Sequence, residues 1–130
     1  MPHPNRLPPL SDAQLEIMNV VWDQGEASVA DVWEVLSARR PIARNTVQTM
    51  LSRLNEKGWL KYRRRGRAFL FKATVARDST RRALVDRFVD TVFSGSAEGL
   101  VLAMLEGRGL SDEEAARIRK LISNARREKS

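Results

Sequence analysis

Two neighbouring stretches carry the side chains most suited to chemistry. In "ARNTVQTMLSRLNEKG", Asn45, Thr46, Gln48, Thr49 and Arg53 recur among apolar positions. In "WLKYRRRGRAFLFKA", Arg63, Arg64, Arg65 and Arg67 crowd around Gly66. Asn, Gln, Thr and Arg are the side chains that hydrogen-bond base edges in the major groove of B-DNA. Arginines gathered at a turn neutralise phosphates and carry no sequence information themselves. The two stretches together therefore read as a base-reading surface beside a backbone clamp, with Arg44 and Ser52 joining the clamp. Ser, Thr and Asn near a helix start also bond phosphate oxygens, helped by the positive end of the helix dipole.

The charge distribution agrees. The chain has 130 residues and a net charge of +7. Residues 39–72 hold eleven Lys or Arg and one acid, Glu56, whereas residues 1–38 hold one Arg and six acids. Solubility needs no such segregation of sign, but meeting a polyanion does. With no cysteine, disulfides, thiolate metal sites and Cys nucleophiles are excluded together. The one histidine, His3, lies in a proline-rich start expected to be a flexible, solvated arm over residues 1–9. Asp112, Glu113 and Glu114 cluster at an expected helix start, where they offset the dipole. Nothing in this inventory makes a catalytic or metal site, so no enzyme and no cofactor are expected. No apolar run approaches the ~20 residues of a membrane span, and a cytoplasmic location follows as the expectation.

The elements that must hold these residues follow from periodicity. Ser11 and Gln14 form a capping-box pattern opening a helix with Leu15, Met18, Val21 and Trp22 inside, stopped at Gly25. Ser28 caps a second helix with Val29, Val32, Trp33 and Leu36 on one stripe. Pro41 forces a turn. A third helix, about Ala43 to Lys57, buries Val47, Met50, Leu51 and Leu54. At ~100° per residue its opposite face is Asn45, Thr49, Ser52 and Glu56, flanked by Thr46, Gln48 and Arg53. Alternation of Leu60 and Tyr62, then Phe69 and Phe71, predicts strands at about 59–64 and 68–73 with Gly66 in the hairpin loop. Three helices and a basic hairpin, in that order, predict a winged helix-turn-helix over residues 10–74.

Beyond it the pattern returns to helix. One runs from about Asp78 to Phe93 with Val85, Phe88, Val89 and Val92 on one stripe. A short one from Ser96 carries Leu100, Val101 and Met104. "SDEE" at Ser111 opens a last helix with Ile118, Leu121 and Ile122. These helices are too short to build a large core of their own. Pairing with the same segment of a second copy over residues 75–127 solves this and matches a palindromic site. The tail at 128–130 is expected to fray. The fold class is thus mainly α with a small β-hairpin (α+β): a winged helix followed by a three-helix dimerisation region.

From Leu10 to about Arg127 the chain resembles the penicillinase-repressor family, the BlaI, MecI and CopY repressors. The matching stretches are "LSDAQLEIMNVVWDQGEASVADVWEVL", "NTVQTMLSRLNEKGWL" and "SGSAEGLVLAML". The resemblance implies a homodimeric transcriptional repressor that binds a palindromic double-stranded DNA operator. It places Asn45, Thr46, Gln48 and Thr49 toward the operator and Arg53 toward phosphate. It also implies de-repression by cleavage, triggered by a membrane-embedded zinc metalloprotease sensor, within "GLVLAML". The aligned pair here is Ala103–Met104, where the staphylococcal members carry Asn-Phe. The copper-responsive branch uses a C-terminal cysteine cluster, and this chain has no cysteine. Two other readings use the same residues: a winged-helix protein-interaction module, and an RNA binder that stacks bases on exposed hairpin aromatics.

Overall fold

The computed structural model describes residues 3–129, the side chain of Lys129 excepted. After a short 3-10 turn at Pro4–Arg6 come α1 (Asp12–Gln24), α2 (Val29–Ser37), α3 (Arg44–Glu56), β1 (Leu60–Arg65), β2 (Ala68–Ala73), α4 (Arg77–Val92), α5 (Ala97–Glu106) and α6 (Asp112–Lys129). The capping signals act as expected. Ser11 Oγ accepts from Gln14 N–H while Gln14 Oε1 accepts from Ser11 N–H. Ser28 and Asp31 form the same reciprocal box at α2. Each box satisfies two backbone donors that a bare helix start would strand. At α6, Ser111 Oγ accepts from Glu114 N–H.

The chain divides into two compact units, the first ending at Leu84 and the second starting at Val85. The expected division at 74/75 lies ahead of α4, but the first turns of α4 stay with the first unit. Arg77 donates to Asn19 O and to Asp23 Oδ1, each at 2.6 Å, and lies over the Trp22 ring. Thr80 is buried one turn on. The Trp22-Asp23 pair therefore has a definite role as the seat for Arg77.

The core of the first unit is built from Ile17, Met18, Val20 and Val21 of α1, Val32 and Leu36 of α2, Val47, Leu51 and Leu54 of α3, and Trp59, Leu60, Phe71 and Val75 around the hairpin. Three tryptophans tie irregular segments to it through their indole N–H groups. Trp22 donates to Val75 O, Trp33 to Ile42 O and Trp59 to Pro8 O, at 2.8–3.0 Å. The Trp33 bond fixes the turn between α2 and α3, and so the angle at which α3 is presented.

The proline-rich start departs from the flexible arm expected of it. Residues 1 and 2 lie outside the described residues, but 3–9 are seated on the first unit. Pro4 is buried, Leu7 and Leu10 pack on the core, and Lys57 Nζ donates to Pro9 O at 2.7 Å. Proline has a carbonyl acceptor and no N–H, so this segment offers Trp59 and Lys57 acceptors without stranding donors. His3, expected to stand free in solvent, caps the turn by accepting from Asn5 N–H. Of the tail expected to fray, Ser130 lies outside the described residues, and α6 continues through Lys129.

The second unit contrasts with the first. No residue from Val85 onward is buried, among the described residues. Ser96 Oγ caps α5 by accepting from Gly99 N–H. Val85, Phe88, Val92, Val101, Met104, Leu121 and Ile122 are exposed, while Val89, Leu100 and Ile118 are half-buried. Among the described residues, no single helix is long and apolar enough to cross a membrane.

Candidate nucleic-acid interface

α3 buries Val47, Leu51 and Leu54 and holds its other side outward. Arg44, Asn45, Thr46, Gln48, Thr49, Ser52 and Arg53 are all exposed. Among the described residues no side chain caps the helix at Ala43. Short polar groups, two arginines and an uncapped, positively polarised helix start thus share one surface.

The wing is a six-pair antiparallel ladder from Leu60↔Ala73 to Arg65↔Ala68. Its loop is Gly66-Arg67, with φ of 62° at Gly66 and no positive φ at Arg67. A positive φ at the first loop residue alone is the type II′ pattern, which favours glycine there. β2 also pairs on its far side through a bridge between Ala27 and Phe71. This short connection adds a third strand-like segment just before α2.

Alternation divides the wing into two faces. One carries Lys61, Arg63, Arg65 and Lys72, and the bridge at Ala27 brings Glu26 beside them. Arg63 Nε and Nη2 donate to the two Glu26 oxygens at 2.8 and 3.0 Å. The Arg63 hydrogen bond, with the charges of Arg63, Lys72 and Arg65, holds the Glu26 carboxyl below its ordinary range. Arg63, expected to clamp the backbone, is thus committed to an intramolecular partner. Arg64, Arg65 and Arg67 make no ion pair among the described residues. Glu16 similarly occupies Arg39 and Arg40, at 3.2 and 2.6 Å.

The other face carries Tyr62, Arg64, Phe69 and Phe71. Phe71 is buried, but Tyr62 and Phe69 keep 53% and 46% of their surface exposed. Their rings meet edge to face, 5.1 Å between centroids, and the Arg64 guanidinium lies 5.9 Å over Phe69. Between this face and α3 lies an open cleft of about 620 Å³. Arg44, Gln48 and Ser52 line one side, Tyr62, Phe69 and Arg67 the other, and Ser28 and Val29 stand at its end. Of the expected residues, the structure gathers Arg44, Gln48, Ser52 and Arg67 here. Asn45, Thr46, Thr49 and Arg53 lie on α3 outside the cleft lining. Arg64 and Arg65 sit on opposite faces of β1. Glu26 was not among the expected contacts, and Tyr62 and Phe69 were expected only as stacking aromatics of the RNA reading. Period-2 alternation put Tyr62 and Phe69 on the same face as Phe71, and that was the available signal. Among the described residues no cluster of three or more His, Asp or Glu is arranged to hold a metal ion.

Three packed helices followed by a two-stranded wing, with the third helix bared beside it, define a winged helix-turn-helix protein. The family model described as penicillinase repressor matches residues 10–124. The chain belongs to that family. It is 29% identical to the penicillinase repressor of Bacillus licheniformis over 124 residues, covering 95% of this chain and 97% of that protein. The solved DNA-binding domain of the repressor BlaI superposes with a TM-score of 0.52 at 34% identity, over 57% of this chain and 90% of that one. The monomeric form of Bacillus licheniformis BlaI, in complex with the blaP half-operator, superposes with a TM-score of 0.50 at 34% identity, with the same coverage.

Proposed function

We propose that this protein is a transcriptional repressor that binds a palindromic DNA operator as a homodimer. The observation that carries the reading is the outward face of α3. Its hydrogen-bonding side chains stand beside a wing whose tip arginines, Arg64, Arg65 and Arg67, make no ion pair among the described residues. Gln48, Asn45, Thr46 and Thr49 read base edges, Arg53 contacts phosphate, and Arg44, Ser52, Arg64, Arg65 and Arg67 hold the backbone. The half-operator complex of the related BlaI supports the same use of the same domain.

The dimer rests on the second unit. Nine large hydrophobics there are exposed in the single chain, Val85, Phe88, Leu121 and Ile122 among them. Apolar surface of that extent, in a unit with no buried residue among those described, calls for a partner, and a second copy supplies one with two-fold symmetry. De-repression by cleavage at Ala103–Met104, triggered by a membrane-embedded metalloprotease sensor, belongs to the same proposal. The pair lies inside α5, so the helix must open locally before a protease can act, and a cut would sever the apolar unit.

One observation favours the alternative of RNA binding by base stacking: Tyr62 and Phe69 are half exposed. The geometry argues against it. The rings are packed edge to face on one another, and one face of Phe69 is covered by Arg64, so neither offers a row of open platforms. Selection from random duplexes by the purified protein tests the reading. A two-fold motif with half-sites one helical turn or a close multiple apart is expected. Strong salt-sensitive binding without an enriched motif would refute it.

A further inference from the structure

Within the first unit, Tyr62 and Phe69 are the exposed large hydrophobics among the described residues. They stand together, in contact, and on the cleft rather than scattered. The opposite wall is the polar side of α3, with Gln48, Ser52 and Arg44. A cleft with one hydrogen-bonding wall and one aromatic wall suits a surface that is itself two-sided. The rim of a DNA strand is such a surface: phosphate and base edge are polar, while deoxyribose and the thymine C5-methyl are apolar. Arg64 lies over the Phe69 ring and Arg67 lines the cleft, so both cations stand at the tip side of the aromatic pair, where they would meet phosphate. The cleft is open, and about 620 Å³ takes part of one strand rather than a duplex.

Resting on the DNA-binding reading above, we propose that Tyr62 and Phe69 form an apolar wall that packs on the sugar edge and on a thymine methyl of the operator. They would be specificity determinants of the wing, selecting thymine in each half-site next to the base pairs read by Gln48. Such a contact differs from an arginine–phosphate contact in a measurable way. It releases no counterion, so its loss weakens binding without changing the salt slope.

The test combines variants with thymine-to-deoxyuridine replacement, which removes the C5-methyl alone. Operators are made with each thymine of the half-site replaced in turn, and binding is measured for the wild-type protein, Phe69→Ala and Tyr62→Ala/Phe69→Ala. Phe69→Leu is included because it keeps bulk at the site and guards against a folding defect. For the wild-type protein, one replacement per half-site should weaken binding about fourfold, the value of one buried methyl. The alanine variants should bind the thymine operator more weakly, lose that sensitivity and keep the wild-type salt slope. Phe69→Leu should retain most of the sensitivity. Equal deoxyuridine sensitivity in all proteins would overturn the proposal, as would a loss accompanied by a shallower salt slope. Loss of single-stranded RNA binding with duplex binding intact would overturn it in favour of base stacking. If the wild-type protein selects no duplex sequence, the repressor reading fails and takes this one with it. If it selects an operator and Phe69→Ala binds identically, only the aromatic wall fails.

Discussion

Removing Arg65 should change how binding depends on salt more than which sequence is bound. Arg65 ends β1 opposite Ala68, at the wing tip, exposed and in no ion pair among the described residues. Arg44, Arg53, Arg64 and Arg67 are exposed cations of the same kind, whereas Arg63 is held by Glu26. If these groups neutralise about four or five phosphates per protomer, a dimer on its operator should show a slope of log K against log salt near −8. Doubling the salt concentration would then weaken binding about 250-fold. Arg65→Ala removes one contact per protomer, so the slope should fall to about −6 and the same doubling should cost about 75-fold. Fluorescence anisotropy on operator and scrambled duplexes, each titrated at several salt concentrations, measures both quantities. The loss should be the same on the two duplexes, because phosphates carry no sequence. An unchanged slope, or a loss confined to the operator, would refute the assignment of the wing tip to the backbone.

Gln48→Ala should act in the opposite way, costing about 1–3 kcal/mol on the operator with little change on scrambled DNA; competition binding on the two duplexes distinguishes them. Glu26→Gln frees Arg63 from its acid partner. Non-specific affinity should rise and the slope should steepen by about one per protomer, as read in the same salt titration. The carboxyls of Glu26 and Glu16 lie below their ordinary range because arginines bond them. Their contribution to stability is therefore complete above the ordinary carboxylate range and is lost as pH falls through the lowered folded-state values. Thermal melts from neutral to acid pH should show this late acid loss, and Glu16→Gln with Glu26→Gln should reduce it. Ile122→Asp places a charge on the exposed apolar surface of α6. It should shift sedimentation toward monomer while the first unit keeps its own melting transition.

Much of the fold was legible because its signals are local. A helix cap acts within three residues, so Ser11-Gln14 and the N-cap Ser28 specify helix starts wherever the chain goes next. Gly66 between alternating strands specifies a hairpin for the same reason. The outward set on α3 follows from the period of the helix once Val47, Leu51 and Leu54 are assigned to the core. The sequence by itself therefore determined the element order, the outward polar face of α3 and the concentration of arginine beside it.

Tertiary structure decided how those charges and rings are used. Glu26 and Arg63 are 37 positions apart, and no periodicity links them. They meet because the Ala27–Phe71 bridge lays the segment just before α2 along the free edge of β2. Arg77 reaches Asp23 across 54 positions, which moves the boundary between the units into α4. The proline-rich start is seated because Trp59 and Lys57, remote in sequence, needed acceptors that its carbonyls supply. Alternation told which aromatics share a face of the wing, but not that Phe71 would be covered while Tyr62 and Phe69 stay open to the cleft beside α3. Burial depends on what packs against a face, and that is settled only when distant segments are brought together.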